Sequence, residues 1–230
     1  MKLAIMQPYF FPYIGYFHLI KSVDTFVIYD DVDYIKGGWI NRNKIVSSST
    51  NNEPIYFNLP TQGASSFKRI CDIRVLFNDY NKNKLFNKIK NCYEKEKNYK
   101  RVIPLFMSVV DCGSDNLAEI NYEGIQQVSL YLDIKTNLIK SSQDLGDDKL
   151  SGQERVIDIC KKMNSNFYIN TIGGKKLYDC DRFSKDNINL RFIKSVPLGF
   201  EWWNLSILHL LMKYNKEDIM YMLGSYKLVE

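Results

Sequence analysis

Leu3-Ala4-Ile5-Met6-Gln7-Pro8-Tyr9-Phe10-Phe11-Pro12-Tyr13-Ile14-Gly15-Tyr16-Phe17-His18-Leu19-Ile20-Lys21-Ser22-Val23-Asp24-Thr25-Phe26-Val27-Ile28-Tyr29-Asp30-Asp31 packs a whole supersecondary unit into one short run. Leu3 to Met6 is apolar and stops at Gln7-Pro8, the pattern of a buried strand with a breaker behind it. Pro12 falls near the start of a helix over Tyr13–Ser22, where its missing N–H costs nothing. Thr25 to Tyr29 is β-branched and aromatic, hence a second strand, and it ends on Asp30-Asp31. A strand, helix and strand this close together form a right-handed parallel crossover.

Outward from that unit, the texture changes and then returns. Pro54–Leu59 and Ile70–Val75 read as strands, with Gly63-Ala64-Ser65-Ser66 as the turn between them. From Asn78 to Asp133 the pattern is helical, and the Lys- and Asn-rich Asn81–Lys97 segment is expected to show an outer face to solvent. Asn137–Ser141 is a short strand, Gln153–Met163 an amphipathic helix, and Phe167–Ile169 and Ile188–Ile193 are further strands. Helical segments fill Leu205–Met222. Strands alternating with helices predict an α/β fold, a Rossmann-like parallel sheet flanked by helices with an inserted helical lobe. The expected boundaries are 1–75 and 134–230 for the two halves of the core, and 76–133 for the lobe.

Composition narrows the function. The 230 residues are 45% hydrophobic and 25% charged, enough to bury one large interior. The net charge of +5 is spread among acidic residues, which argues against a nucleic-acid partner and suits an anionic small molecule. Cys71, Cys92, Cys112, Cys160 and Cys180 are odd in number and widely spaced, as expected of thiols in a reducing compartment. With only His18 and His209 available, no protein-held metal is expected. No window approaches the ~20 apolar residues that a membrane span needs. Met1 to Leu3 also runs straight into a strand, so a cytoplasmic chain without a membrane partner is expected.

Ligands of open parallel sheets bind at the carboxyl ends of strands, beside helix N-termini that favour anions. The first such loop offers Gln7, Tyr9, Tyr13, Gly15 and Tyr16, an aromatic wall for a ligand or else a hydrophobic plug under the helix. Asp30 and Asp31 end the second strand and point to opposite faces, so one of them lines any given site. A carboxylate there accepts a substrate ammonium, acts as general base, or holds Mg²⁺ through water; the alternative is a turn cap. In Lys36-Gly37-Gly38-Trp39-Ile40-Asn41-Arg42-Asn43 the glycines allow a tight turn and Trp39 offers a flat face. Lys36, Asn41 and Arg42 suit phosphate or sugar.

Gly173-Gly174, with Lys175-Lys176, forms a further loop expected at the same edge. Ser151 and Glu154 fit a capping box, which makes Gln153-Glu154-Arg155 structural first. His18 is expected to be packed. Glu201-Trp202-Trp203-Asn204 either packs the sheet edge or forms a sugar-stacking wall. Walker A, G-x-G-x-x-G and G-x-S-x-G patterns are missing, which sets aside ordinary hydrolase and dinucleotide-enzyme readings.

Met6 to Ile20, Val23-Asp24, Tyr29 to Val32 and Lys36 to Asn43 together closely resemble the WbqC-like family. Gln153-Glu154-Arg155, Gly173-Gly174 and Leu205-Ser206-Ile207 extend the resemblance over nearly the whole chain. Family members are associated with bacterial O-antigen and capsule clusters. The resemblance implies a transferase of lipopolysaccharide O-antigen biosynthesis. It would join a small amino or carboxylic acid such as glycine to the amine of a nucleotide-linked amino sugar, with ATP as activator and Mg²⁺ accompanying it. On that reading Asp30, Asp31 and Tyr13 carry the chemistry. Gln7-Pro8 and Pro12 to Tyr16 are also similar to the first motif of nucleotidylyltransferases and class I synthetases. Tyr13 and Tyr16 stand where that motif has histidines, and tyrosine hydroxyls donate hydrogen bonds without positive charge. The departure keeps a second reading open, a non-catalytic nucleotide- or sugar-nucleotide-binding module on the same ancestral fold.

Overall fold

The computed structural model describes residues 1–46, 53–146, 149–196 and 204–230. Among them ten strands, β1 to β10, run Lys2–Met6, Thr25–Ile28, Arg42–Val46, Pro54–Asn58, Thr61–Gln62, Arg74–Val75, Asn137–Lys140, Phe167–Thr171, Asn189–Ser195 and Tyr226–Val229. Nine α-helices, α1 to α9, run Ile14–Lys21, Asp79–Tyr93, Tyr99–Val110, Leu117–Tyr131, Ser141–Asp144, Gly152–Lys162, Cys180–Ser184, Ile207–Lys213 and Lys216–Met222.

The central sheet has the order β10-β9-β8-β1-β2-β7. β1 pairs parallel to β2, Leu3 opposite Thr25 and Met6 opposite Ile28, as the opening run predicts. β7, β8 and β9 are also parallel, and only β10 is antiparallel. The chain therefore builds one way from β1 through β2 to β7, then returns to the other side of β1 for β8 and β9. That is a Rossmann-like order, and it places the topological switch between β1 and β8.

Strand alternation divides the interior into two layers. Ala4, Phe26, Ile28, Ile169 and Ile193 join the residues of α1, α3, α4, α8 and α9. Leu3, Ile5, Val27, Tyr168, Leu190 and Phe192 face α6 and α7. Residues i and i+1 point to opposite faces of a strand, so a parallel sheet buried on both sides needs apolar residues at both parities. The helices α2, α3 and α4 fall inside the stretch expected to be helical, and their buried side chains merge with those under α1. α2 buries only Leu85, Ile89 and Tyr93, so its Lys- and Asn-rich remainder faces solvent.

Two local expectations are corrected, and one strand is added. Ile70–Val75 is no continuous strand: Ile70–Asp72 is a 3₁₀ turn, and only Arg74–Val75 pairs, with Thr61–Gln62. The amides of Ile70 and Cys71 are spent on the carbonyls of Val32 and Asp30, which bends the segment toward the end of β2. Arg42 and Asn43, read as the end of the polar stretch from Lys36, open a strand, Arg42–Val46, antiparallel to Pro54–Asn58. Tyr226–Val229, which gave no sequence signal, completes the sheet edge against Phe192–Ser195.

Candidate functional site

The loop between β1 and α1 is held almost carbonyl by carbonyl. The Tyr29 amide donates to the Met6 carbonyl, and the Tyr16 hydroxyl to that of Gln7. Asn121 Nδ2 takes the carbonyl of Pro8, and Asn43 Nδ2 those of Phe10 and Phe11. Ser206 Oγ adds a second bond to Phe11 O at 2.7 Å, and the Ile207 amide takes Pro12 O. Phe11 has φ 44°, a left-handed conformation unusual for a bulky residue. Such strain persists only where surroundings over-determine it, and here Asn43 and Ser206 do so.

The aromatic wall splits in two. Phe10, Phe11, Tyr16 and Phe17 are buried and form the plug under α1. Tyr16 has spent its hydroxyl on Gln7 O, so its expected substrate role gives way to packing. Tyr9 and Tyr13 are half-buried at the loop surface, and burial raises both phenol pKa values above the ordinary range. A Cβ on Gly15 would lie 2.3 Å from the Tyr13 ring, so this glycine makes room for Tyr13, not for a ligand.

The Asp pair divides just as sharply. Asp30 is 1% exposed and accepts from Ser141 Oγ, Ser142 N and Ser142 Oγ at 3.0, 2.9 and 2.6 Å. It caps α5, and the structure gives it a structural role in place of the expected catalytic one. Asp31 shares the Ser141 hydroxyl with Asp30 and pairs with Arg155 Nη2 at 3.4 Å. Arg155 is buried, and it also binds Asp158 Oδ2 at 3.1 Å and Gly146 O at 2.7 Å.

Asp31 opens onto a cleft of about 440 Å³ at the carboxyl edge of β1 and β2, within the range of small-molecule sites. Its polar lining is Gln7, Tyr29, Asp31, Asp33, Ser151 and Arg155, and Val32, Ile35 and Leu150 supply the apolar part. Burial, then the charge of Asp31, pushes the Tyr29 phenol up to about 12, although Arg155 opposes this. Tyr29 therefore stays a neutral hydrogen-bond donor at physiological pH.

The N-terminus of α6 forms one wall. The Ser151 side chain makes no cap bond, and Glu154 reaches out to Arg182 at 2.6 Å instead of back, so the expected capping box is absent. The first turn of α6, with its positive dipole end, lies beside the cleft and has no cap from its own Ser151 side chain.

Of the residues expected at the site, Gln7 and Asp31 line the cleft. Asn41 is committed to Tyr34 OH and Leu59 O. Lys36 is exposed, and Trp39 and Arg42 belong to the face of the β3–β4 hairpin. Gly173 and Gly174 follow β8 at the same sheet edge, Gly174 against the Asn170 side chain. His18 is buried, bonded to Ser195 Oγ and Met222 O. Of Glu201-Trp202-Trp203-Asn204, residues 201 to 203 lie outside the described residues. Tyr29, Asp33, Ser151 and Arg155 were not expected at the site. The available signal was Arg155 itself, next to the apolar Val156-Ile157 pair on an amphipathic helix, where a charge is buried and needs a partner. Among the described residues no cluster of His, Cys, Asp or Glu could hold a metal ion, and no helix is long and apolar enough to cross a membrane.

Comparison with known proteins agrees with this geometry in extent. The chain is 27% identical over 227 residues to an uncharacterized protein of Mycobacterium tuberculosis, covering 94% of this chain and 95% of that one. No solved structure matches. The WbqC-like protein family matches residues 7–221, from the cleft residue Gln7 to the penultimate residue of α9. The chain is a member of the WbqC-like protein family.

Proposed function

We propose that the protein is a transferase of bacterial surface-polysaccharide biosynthesis that acylates the amine of a nucleotide-linked amino sugar with a small amino or carboxylic acid such as glycine. The observation that carries this reading is the cleft's pairing of opposite demands. Asp31 and Asp33 offer carboxylates to an ammonium, and the start of α6, without a Ser151 cap, offers amides and a positive dipole to an anion. A substrate with an amine at one end and phosphate at the other satisfies both. Tyr29 and Gln7 add neutral polar groups suited to sugar hydroxyls.

On this reading ATP activates the acid. The acid's carboxylate attacks the α-phosphorus and pyrophosphate leaves; the sugar amine then attacks the acyl carbon and AMP leaves. Asp31 accepts the proton that the amine gives up. Mg²⁺ would arrive with the phosphates, because the protein has no cage for it among the described residues.

A second reading has its own observation. Tyr16, at a histidine position of the nucleotidylyltransferase motif, is buried and bonded to Gln7 O, out of reach of a phosphate. That favours a binding module that keeps the fold and has lost the chemistry. Incubation with ATP, glycine and a UDP- or dTDP-amino sugar separates the two. Acylated sugar nucleotide and AMP that form only when all three components are present support the transferase, and tight binding with no turnover supports the module.

A further inference from the structure

The β3–β4 hairpin carries a second surface that the cleft does not use. Trp39 and Tyr56 lie with ring centroids 6.4 Å apart and planes 24° apart, although they are 41% and 42% exposed. Exposed aromatics of that size cost free energy unless something covers them. Lys44 Nζ stands 5.7 Å from the Trp39 centroid and 5.2 Å from that of Tyr56, and it makes no ion pair among the described residues. Lys36, which is exposed, makes none among them either. Arg42 is occupied differently: it donates to the Gly37 and Gly38 carbonyls and lies 4.8 Å from the Tyr56 centroid, which fixes the ring from below the turn.

We propose that this ledge binds the base and phosphates of a nucleoside diphosphate. A flat aromatic pair stacks any base, since every base has a π-face, and two lysines that make no ion pair among the described residues supply charge for phosphates. The hairpin also adjoins the cleft. The Phe10 amide donates to Trp39 O, three residues after Gln7, and Ile35 lines the cleft at the start of the turn that ends in Trp39. The ligand is the nucleotide end of the sugar nucleotide read for the cleft, so the ledge rests on and deepens that reading. The order of parts then follows from the chain: base on the hairpin, diphosphate over the Lys36–Gly38 turn, and amino sugar toward Asp31.

Isothermal titration of the full chain with UDP tests the ledge, free of any sugar or turnover. Trp39→Ala and Tyr56→Ala should each weaken UDP binding about tenfold or more, and Lys44→Ala should weaken it in a salt-dependent way. Tyr80→Ala, which removes an aromatic 72% exposed on α2, should leave the affinity unchanged. Thermal melts matching the wild type confirm that the variants fold. UDP binding that is equal in all three ledge variants, or no UDP binding by the wild type at millimolar concentration, overturns the proposal. Saturation of the ledge by free N-acetylglucosamine in place of UDP also overturns it, because the surface then reads sugar. Ledge-dependent UDP binding without acyl transfer upholds the ledge and sinks only the transferase.

Discussion

The Arg155 guanidinium lies 3.4 Å from Asp31 Oδ2, the two side chains 3% and 7% exposed, and the pair joins the end of β2 to the first turn of α6. The two residues are 124 positions apart in sequence. A buried cation that binds Asp31, Asp158 and the Gly146 carbonyl, among others, holds Asp31 at the cleft wall and fixes the helix whose N-terminus completes the site. Removing the cation leaves buried carboxylates without compensation. Arg155→Met should therefore destabilise the protein by about 3–5 kcal/mol in urea unfolding. Arg155→Lys should recover only part of this, because a point charge lacks the planar fork. A loss below about 1 kcal/mol would show that the pair is solvated and not structural.

Asp30 and Asp31 should separate cleanly on substitution. Asp30→Ala strands the Ser142 amide and hydroxyl, while the Ser141 hydroxyl keeps Asp31, at a cost of about 1–3 kcal/mol. Ligand affinity of the folded fraction should be unchanged. On the proposed transferase reading, Asp31→Asn keeps the shape of the wall and should both slow acyl transfer and weaken binding of the amino-sugar nucleotide. Equal kinetic defects in the two variants would contradict the division of roles.

The clamp on the first loop is testable without any ligand. Asn43→Ala removes both donors to the carbonyls of Phe10 and Phe11, with an expected loss of about 2 kcal/mol. Hydrogen exchange should accelerate at Phe10 to Tyr16, while the β1 amides keep their protection. Uniform acceleration throughout the chain would instead mean global destabilisation.

Acid should unfold the protein through its histidines. His209, bonded to Tyr93 OH at 2.8 Å, is held neutral: burial first, then nearby Lys213, lowers its pKa from 6.5 to about 4. Burial lowers His18 as well. A depressed histidine gives stability that is present above the unfolded pKa and is lost as pH falls toward the folded one. For His209 that window runs from pH 6.5 to about 4 and is worth ~3 kcal/mol at its acid end. Melts at pH 7.5, 5.5 and 4 should show a steep acid limb, and His209→Gln should flatten it. An unchanged limb would put the acid sensitivity elsewhere.

The β1–α1–β2 unit was legible because everything that specifies it is local: an apolar run, a Pro breaker, a second β-branched run. Gln7 and Asp31 were legible for the same reason, since strand ends in parallel sheets mark where ligands sit. The cleft's other wall was not. Arg155 gains its meaning only when α6 crosses back over β1 and β2, and no window of sequence contains both partners. Trp39 was visible as a flat face, but its companions Tyr56 and Lys44 depend on the β3–β4 register, which sets Lys44 opposite Tyr56. Asn43, which closes the polar stretch from Lys36, is a buried clamp, because its place in β3 brings its side-chain amide to the carbonyls of Phe10 and Phe11. A polar residue read by type alone gives its chemistry, not its address.

The bond from Ser206 to the Phe11 carbonyl spans 195 residues. A nascent chain makes β1 and α1 first, yet the strained turn between them has no second anchor until residues 206 and 207 have left the ribosome. Contacts that distant in sequence form late, because their loop-closure entropy must be met before they stabilise anything. The part of the protein synthesised first is thus set last, and a ligand that reads the shape of that loop recognises only a finished molecule.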